Sequence, residues 1–555
     1  MPDTPPDPQA RPAALSPDKP LPEKVAGPDF RDRLQAATEL LEKVAGDRAL
    51  LALLPPDERR RLMQAAGRVF HPDAAERRRL VKTLGRLRKN EKAQRDEELL
   101  AETGIRELRR QPVFTTPRAY ATKDFETHDV APSDDDEARA REASLPAGGI
   151  EARACYICKT RYTGVHHFYD RLCPECGDFN FAKRTELTDL SGRVALLTGG
   201  RVKIGYQAGL KLLRAGAHLI VTTRFPRDSA KRYSQEPDFE QWGHRLEVFG
   251  LDLRHTPSVE AFCSEMIRTR PRLDYIINNA CQTVRRPPDF YAHMMADESA
   301  ALRDMPAHQR QLLGAWEGLR GYHLLPEASG DTLLSPEVLD QKAVELAGIT
   351  HAAQLSQVPL LPGEFEGGDE KKAQSALFPV GKLDQDMQQV DLRGRNSWRL
   401  LLAEVSTVEL LEVQLVNAIA PFVINARLKP LLMATPERDK HIVNVSAMEG
   451  QFYKSFKTTR HPHTNMAKAA LNMMTRTSAT DYQQDGIHMN SVDTGWVTDE
   501  DPAEIAARKV ADHRFSPPLD IVDGGARIVD PIIDGMITGQ HVWGQFLKDY
   551  KPTPW

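Results

Sequence analysis

The chain has 555 residues, 41% of them hydrophobic, and its 74 lysines and arginines nearly balance 78 aspartates and glutamates to a net charge of −4. That length exceeds one hydrophobic core and predicts three or four structural units. The even charge offers no signature of a polyanionic partner, so nucleic acid is not expected; no run of about 18 apolar residues marks a membrane span, and the proline- and aspartate-rich N-terminus lacks an apolar signal core. A cytoplasmic protein is therefore expected.

Residues 1–28 are rich in proline, acidic and small residues, a composition that predicts a disordered tail. Residues 29–111 read as a helical region of three or four charged helices. Leu34, Ala37, Leu41 and Val44 share one helical face, and Leu80, Leu84 and Leu87 share another. Basic runs at 59–61 and 77–79 have no interleaved aromatics. They read as solvated helix faces, with a surface for nucleic acid or an acidic partner as the sharper alternative. Residues 112–150 read as a linker with an acidic cluster at 134–137.

Residues 151–185 form a cysteine unit. Cys155 and Cys158 make one CxxC pair, Cys173 and Cys176 a second, and fourteen residues separate them. Each CxxC knuckle turns two sulfurs toward one point, which suits a tetrahedral zinc ion. Four thiolates leave no open coordination position, so the expected zinc is structural. His166 and His167, between the pairs, are alternative ligands or packing residues. The unit resembles a zinc-ribbon-like module.

From residue 190 to 555 the sequence predicts an α/β domain with a doubly wound parallel sheet. An apolar run at 193–198 is followed by a turn carrying Gly199, Gly200 and Gly205, a helix, and a second apolar run at 218–223. This is the form of a dinucleotide-binding βαβ unit, in which glycines admit a pyrophosphate to the backbone and a helix N-terminus supplies free N–H groups. Further strands are expected at 246–253, 273–278, 440–446 and 487–492, with a last strand in GQFLKDY and helices at 408–432 and 464–481. A long insertion, about 283–403, leaves the carboxyl end of the fourth strand. A structureless loop of that length is improbable. It reads as a lid or cap over the ligand crevice, or as an interaction platform.

The order of these motifs resembles the short-chain dehydrogenase/reductase superfamily. The family opening TGxxxGxG is matched by Thr198, Gly199, Gly200, Arg201, Val202, Lys203, Ile204 and Gly205, with Lys203 in place of a glycine. The resemblance implies that Asn279 and Ala280 line the nucleotide groove and that Asp252, with Leu253 beside it, contacts adenine. It also implies that Gly495, Val497 and Thr498 hold the carboxamide. Arg224 ends the second strand where an acidic residue would select NAD(H), so NADP(H) is expected. Arg201 offers a second positive charge, and Lys203 a phosphate contact; plain solvent exposure is the alternative for both.

The catalytic positions depart from the family. The resemblance carries over Asn417 as organiser of a relay water and Lys468 as holder of the nicotinamide ribose. The YxxxK tyrosine is replaced by Thr464, and the usual serine position is Ala447 with Ser446 one residue before it. An aliphatic alcohol cannot take over a phenol's proton chemistry. His461 stands at the wider spacing used by the related enoyl-acyl carrier protein reductases and is the expected proton donor; His463 and Tyr453 come second. The expected function is an NADP(H)-dependent oxidoreductase passing hydride to or from a carbonyl or activated alkene of a small-molecule substrate. The alternative is an inactive NADP(H)-binding sensor or scaffold that uses its zinc module and helical extension for partner binding. The resemblance also implies a homo-oligomer paired through the helices flanking the fifth strand.

Overall fold

The computed structural model describes residues 28–109, 150–300, 302–317, 344, 346–361, 364, 376–379, 381–384, 388–452, 457–498, 500–502, 505 and 516–555. Apart from residues 28 and 150, the expected tail and linker lie outside the described residues, as do Tyr453 and much of the insertion. The chain forms two compact units, Met1–Gln94 and Arg95–Trp555. The boundary therefore falls earlier than residue 111, the end expected for the helical region.

The first unit is built from α1 (Pro28–Gly46), α2 (Pro56–Phe70) and the start of α3 (Ala74–Ala101). Pro56 begins α2, with Asp57 and Glu58 in its first turn, which complements the helix dipole. Asp73 accepts the Glu76 N–H at 2.7 Å and caps α3. The leucines of the two amphipathic stripes, Leu34, Leu41, Leu80, Leu84 and Leu87, are exposed.

The second unit contains an eight-stranded sheet. Its strands are β3 (Val194–Thr198), β4 (His218–Thr223), β5 (Leu246–Gly250), β6 (Tyr275–Asn278), β7 (Lys440–Ser446), β8 (Ile487–Asp493), β9 (Phe546–Lys548) and β10 (Lys551–Thr553). Their order is β10-β9-β8-β7-β6-β3-β4-β5, parallel except for the β9–β10 hairpin. Strands covered on both faces are apolar throughout rather than alternating, which is why VALLT and LIV form the centre. The order reverses between β3 and β6, where the carboxyl ends of the strands open a crevice.

One face carries α6 (Lys203–Arg214) and α11 (Ile521–Thr538), the other α8 (Thr256–Thr269), α9 (Thr407–Leu432) and α10 (Pro462–Gln484). Helix α9 has a hydropathy of 1.5, apolar enough to span a membrane by length and composition; one side of it packs against α8 and the sheet, and 39% of its apolar stretch is buried. A π-helical turn, Leu415–Ile419, interrupts it. The short helix α7 (Pro226–Ser234) follows β4.

The cysteine unit comprises the hairpin β1 (Arg153–Ala154) and β2 (Arg161–Tyr162), followed by α5 (Pro174–Thr185). Its apolar cluster joins Leu100, Ile105, Tyr169 and Leu172 to Val497, Leu519 and Val522. Helix α4 (Gly104–Leu108) is part of this packing. The cluster is thus continuous with the sheet domain, and residues 95–109 belong to it.

Candidate cofactor cleft and active site

A cavity of about 1060 Å³ opens at the carboxyl ends of β3, β4, β6, β7 and β8. It is bordered by the glycine turn, by Asn279 and Ala280, by Ser446 and Lys468, and by Gly495, Val497 and Thr498. The motif residues expected to bind a nucleotide, scattered over three hundred positions of sequence, therefore share one wall.

The turn after β3 is held from β6. Asn279 donates through Nδ2 to the carbonyls of Thr198 (3.1 Å) and Gly199 (3.0 Å). The Thr198 hydroxyl accepts the N–H groups of Asn279 and Ala280, both at 3.1 Å. Gly199 has φ +69°, and a Cβ on Gly205 would stand 2.2 Å from Asn279 Nδ2 and 2.4 Å from Gly199 O. These two positions demand glycine, and the cradle so formed fits a diphosphate against the α6 N-terminus. Lys203 lies in the left-handed region (φ +55°) and borders the cavity. Its charge faces Glu500: although burial opposes ionisation, Lys203 and the Thr498 hydroxyl hold that carboxyl below its ordinary range. Thr498 Oγ1 donates to Glu500 Oε1 at 2.8 Å. Gly200 and Ile204 complete the turn; Gly200 packs under Val221 and Leu197.

On the adenosine side Arg224 follows β4 and borders the cavity. It donates to Tyr291 Oη at 2.8 Å and lies 4.8 Å from that ring's centroid. Burial alone would raise the Tyr291 phenol; Arg224, Arg286 and Arg201 outweigh it and hold the phenol below its ordinary range. Two expectations are corrected here. Arg201 is not a free second charge: it is buried, donating to Asp228 (2.6 Å) and Gln388 (2.7 Å). Asp252 borders the cavity, but its carboxylate is not free: Arg254 donates to it (2.7 Å), and the Asp252 N–H donates to Gly348 O (2.8 Å) in the insertion. Leu253 lies beside it on the cavity wall. The insertion supplies a share of that wall through Tyr291, Arg286, Gln388 and Trp398.

On the opposite side Ser446 ends β7. Its Oγ is buried, with no hydrogen-bond partner among the described residues, and the residue borders the cavity. Lys468 is buried on α10 and donates through Nζ to Val445 O at 2.7 Å. Asn417 sits in the π-helical turn, accepting from Gln282 N–H (2.8 Å) and donating to Gln282 O (3.1 Å). It fixes the backbone after β6 without bordering the cavity.

His461 is a third correction. It caps α10, stacks on Trp398 with ring centroids 3.9 Å apart and planes 8° apart, and hydrogen-bonds Asn465 at 3.2 Å. Trp398 borders the cavity and His461 does not. Burial pushes the imidazole down to about 4. The wider spacing brings a histidine to the right stretch of chain, but the insertion supplies an indole that covers it. Thr464 is buried and does not border the cavity, and its hydroxyl has no partner among the described residues.

Sequence reasoning missed three residues of this wall. Asp493 ends β8 in register with Ser446, and Lys548 on β9 lies 3.2 Å from its carboxylate. Burial raises the Asp493 carboxyl; Lys548 opposes that and the nearby Glu449 charge adds to it. Burial opposes the Lys548 ammonium, yet Asp493 holds it above its ordinary range. A charged residue at the end of each of these buried strands was the available signal. Tyr156, within the first CxxC pair, also borders the cavity; nothing in its local sequence announces that.

The four thiols of Cys155, Cys158, Cys173 and Cys176 lie within 4.8 Å of one another, the only such group among the described residues. The Cys173 N–H points at Cys155 Sγ (3.4 Å). This donor set fits a tetrahedral ion. His166 is turned to other partners, accepting from the Phe168 and Tyr169 N–H groups at 3.0 and 3.2 Å.

The family model described as short chain dehydrogenase matches residues 193–300, and that described as Enoyl-(Acyl carrier protein) reductase matches 396–516. The chain belongs to the short-chain dehydrogenase/reductase superfamily. An uncharacterized protein of Acanthamoeba polyphaga mimivirus is 30% identical over 391 residues, 68% of this chain and 71% of that protein. Dehydrogenase/reductase SDR family member 13 of Bos taurus is 32% identical over 105 residues, 18% of this chain and only 28% of that protein. A dehydrogenase/reductase structure from Sinorhizobium meliloti is 16% identical, covering 66% of this chain and 96% of that one, with a TM-score of 0.38. The two superfamily matches flank residues 301–395, so most of the insertion lies between them.

Proposed function

We propose that this superfamily member is an NADP(H)-dependent oxidoreductase that reduces or oxidises a carbonyl or activated alkene of a small-molecule substrate. The single observation carrying this reading is the shared cavity wall, which joins the glycine cradle to Lys468 and the unpartnered Ser446 hydroxyl. When bound, the nicotinamide cofactor supplies or accepts the hydride. The chain's own groups do the rest. The turn at Gly199–Gly205 and Lys203 hold the diphosphate, and Arg224, with no carboxylate at the end of β4, favours a ribose 2′-phosphate. Lys468 holds the ribose hydroxyls, and Ser446 donates to the substrate oxygen. The proton moves between that oxygen and the Asp493–Lys548 pair, the titratable groups beside Ser446. Cys155, Cys158, Cys173 and Cys176 hold a structural zinc ion.

Exposed apolar side chains on α9 (Leu411, Ile419, Phe422) and α10 (Met466, Met473) support pairing of two copies through these helices. A cytoplasmic location goes with this reading.

The second reading, a binding protein without turnover, is favoured by one observation: Thr464 and His461 both lie off the cavity. Titration of the protein with NADPH and NADH, followed by a carbonyl-compound screen, separates the two. Tight NADPH binding with turnover supports the enzyme, and tight binding with none supports the sensor. Arg224→Ala should weaken NADPH at least roughly tenfold more than NADH, the scale of a lost charge-assisted contact. Equal losses for both would remove the 2′-phosphate assignment.

A further inference from the structure

We propose that the cysteine module is a metal-dependent clamp on the stretch 495–498, so that metal in the four-thiol site sets the protein's affinity for its cofactor. This rests on reading the cavity as the cofactor site.

The contact begins inside the metal knuckle itself. Tyr156 lies between the ligands Cys155 and Cys158, and its backbone N–H donates to Arg171 O at 2.9 Å, tying the first knuckle to the chain entering the second. Its hydroxyl accepts the Trp496 N–H at 3.0 Å. Its ring lies 5.6 Å beneath Lys548 Nζ. One side chain of the knuckle therefore touches both the backbone beside Gly495 and the charged pair next to Ser446. Val497 is buried in the same apolar cluster as Cys155 and Cys173.

The module also grips the far flank of this segment. Ser516 Oγ donates to Asp170 at 3.3 Å, and Arg184 donates to both carboxylate oxygens of Asp520, at 2.7 and 3.0 Å. Tyr169 Oη donates to Asp523 at 2.5 Å. Arg184 is fully buried, so this anchorage is rigid rather than a solvated surface pair.

A two-residue loop between two cysteines has its backbone set by both sulfurs reaching one ion. Without the ion, only packing and the Cys173 N–H contact hold the thiols together, and the position of the Tyr156 hydroxyl is less firmly fixed. The Trp496 N–H then loses its acceptor, and the stretch that should hold the nicotinamide carboxamide loosens. Tyr156 is a positioning residue: it acts on the cofactor through Trp496 rather than by proton transfer.

The test uses the full-length protein. Metal content is measured, the ion is removed with a chelator, and hydrogen–deuterium exchange of peptides covering 494–498 and 516–523 is followed with and without added zinc. NADPH titrations run in parallel. Metal removal should speed exchange at Trp496 and weaken NADPH at least tenfold, with zinc restoring both. Because a module stripped of its metal can unfold, Tyr156→Phe provides a second arm. It should keep its metal and melting temperature, speed exchange at Trp496, and weaken NADPH by about 3- to 10-fold, the effect of one lost hydrogen bond. Unchanged Trp496 exchange in both arms, or unchanged NADPH affinity despite faster exchange, overturns the clamp. If the zinc-loaded wild type binds neither NADPH nor NADH, the cofactor reading falls, and with it the clamp's effect on affinity. The exchange data then report on the mechanical link alone.

Discussion

Gly205→Ala is the sharpest test of the cradle. The added methyl would stand 2.2 Å from Asn279 Nδ2 and 2.4 Å from Gly199 O. The Asn279 side chain can swing away, but only by releasing its hydrogen bonds to Thr198 O and Gly199 O at 3.1 and 3.0 Å. Each such bond contributes about 1 kcal/mol, so release costs about 2 kcal/mol. The alternative, moving the Gly199 carbonyl, deforms the turn that must receive the diphosphate. In the free protein the turn relaxes, and the bound form must restore it. The cost then falls on affinity, roughly 30-fold in Kd. Fluorescence titration with NADPH measures it, alongside a thermal melt. A variant that binds NADPH as tightly as the wild type would show that ligand does not approach this backbone, and the assignment of the turn would fail.

Three further outcomes follow from the site. Asp493→Asn should leave NADPH affinity within about threefold and lower kcat by roughly 10²- to 10⁴-fold, the range for a lost acid–base group; an unchanged kcat would exclude the Asp493–Lys548 pair from proton transfer. His461→Ala should remove its stacking on Trp398 and lower the melting temperature by several degrees, corresponding to about 1–3 kcal/mol, while the pH–rate profile keeps its shape; a lost limb in that profile would reinstate His461 as a catalytic residue. Burial holds His441 well below its ordinary value, with the neighbouring His488 and His541 adding to the effect, and it holds His461 down at about 4. Neutral imidazole is thus favoured in the folded state. The stabilisation is full above the unfolded value near 6.5 and is lost as pH falls through the folded values. The melting temperature should therefore drop between about pH 6.5 and 4, and His441→Phe should flatten that slope; an unchanged slope would show that the histidine cluster is not its source.

Much of the domain was legible because parallel strands covered on both faces must be apolar throughout. The runs at 194–198 and 219–221 therefore announce themselves, and the turn glycines mark places where crowding leaves no room for Cβ. The chemistry of the cleft was less legible because it depends on pairs made over long distances. Asp252 looks free until Arg254 is seen on its carboxylate and the Gly348 carbonyl on its N–H. Arg201 looks like a ligand until Asp228 neutralises it. His461 has the right spacing, but spacing along a helix does not report that Trp398 from the insertion stands in front of it. The π-helical turn at 415–419 was equally silent, since its extra residue leaves no mark in composition, although it is what turns Asn417 toward Gln282. Tyr156 was the least accessible of all, because its partner Trp496 is 340 residues away.

That separation has a consequence for how the protein is made. At roughly 5–20 residues per second, a ribosome needs on the order of 20 to 70 seconds to progress from Tyr156 to Trp496. Throughout that interval the thiol quartet is already synthesised while its docking face does not yet exist. The four-thiol group can therefore form before the cleft exists, so an ion captured there would be bound before any nucleotide.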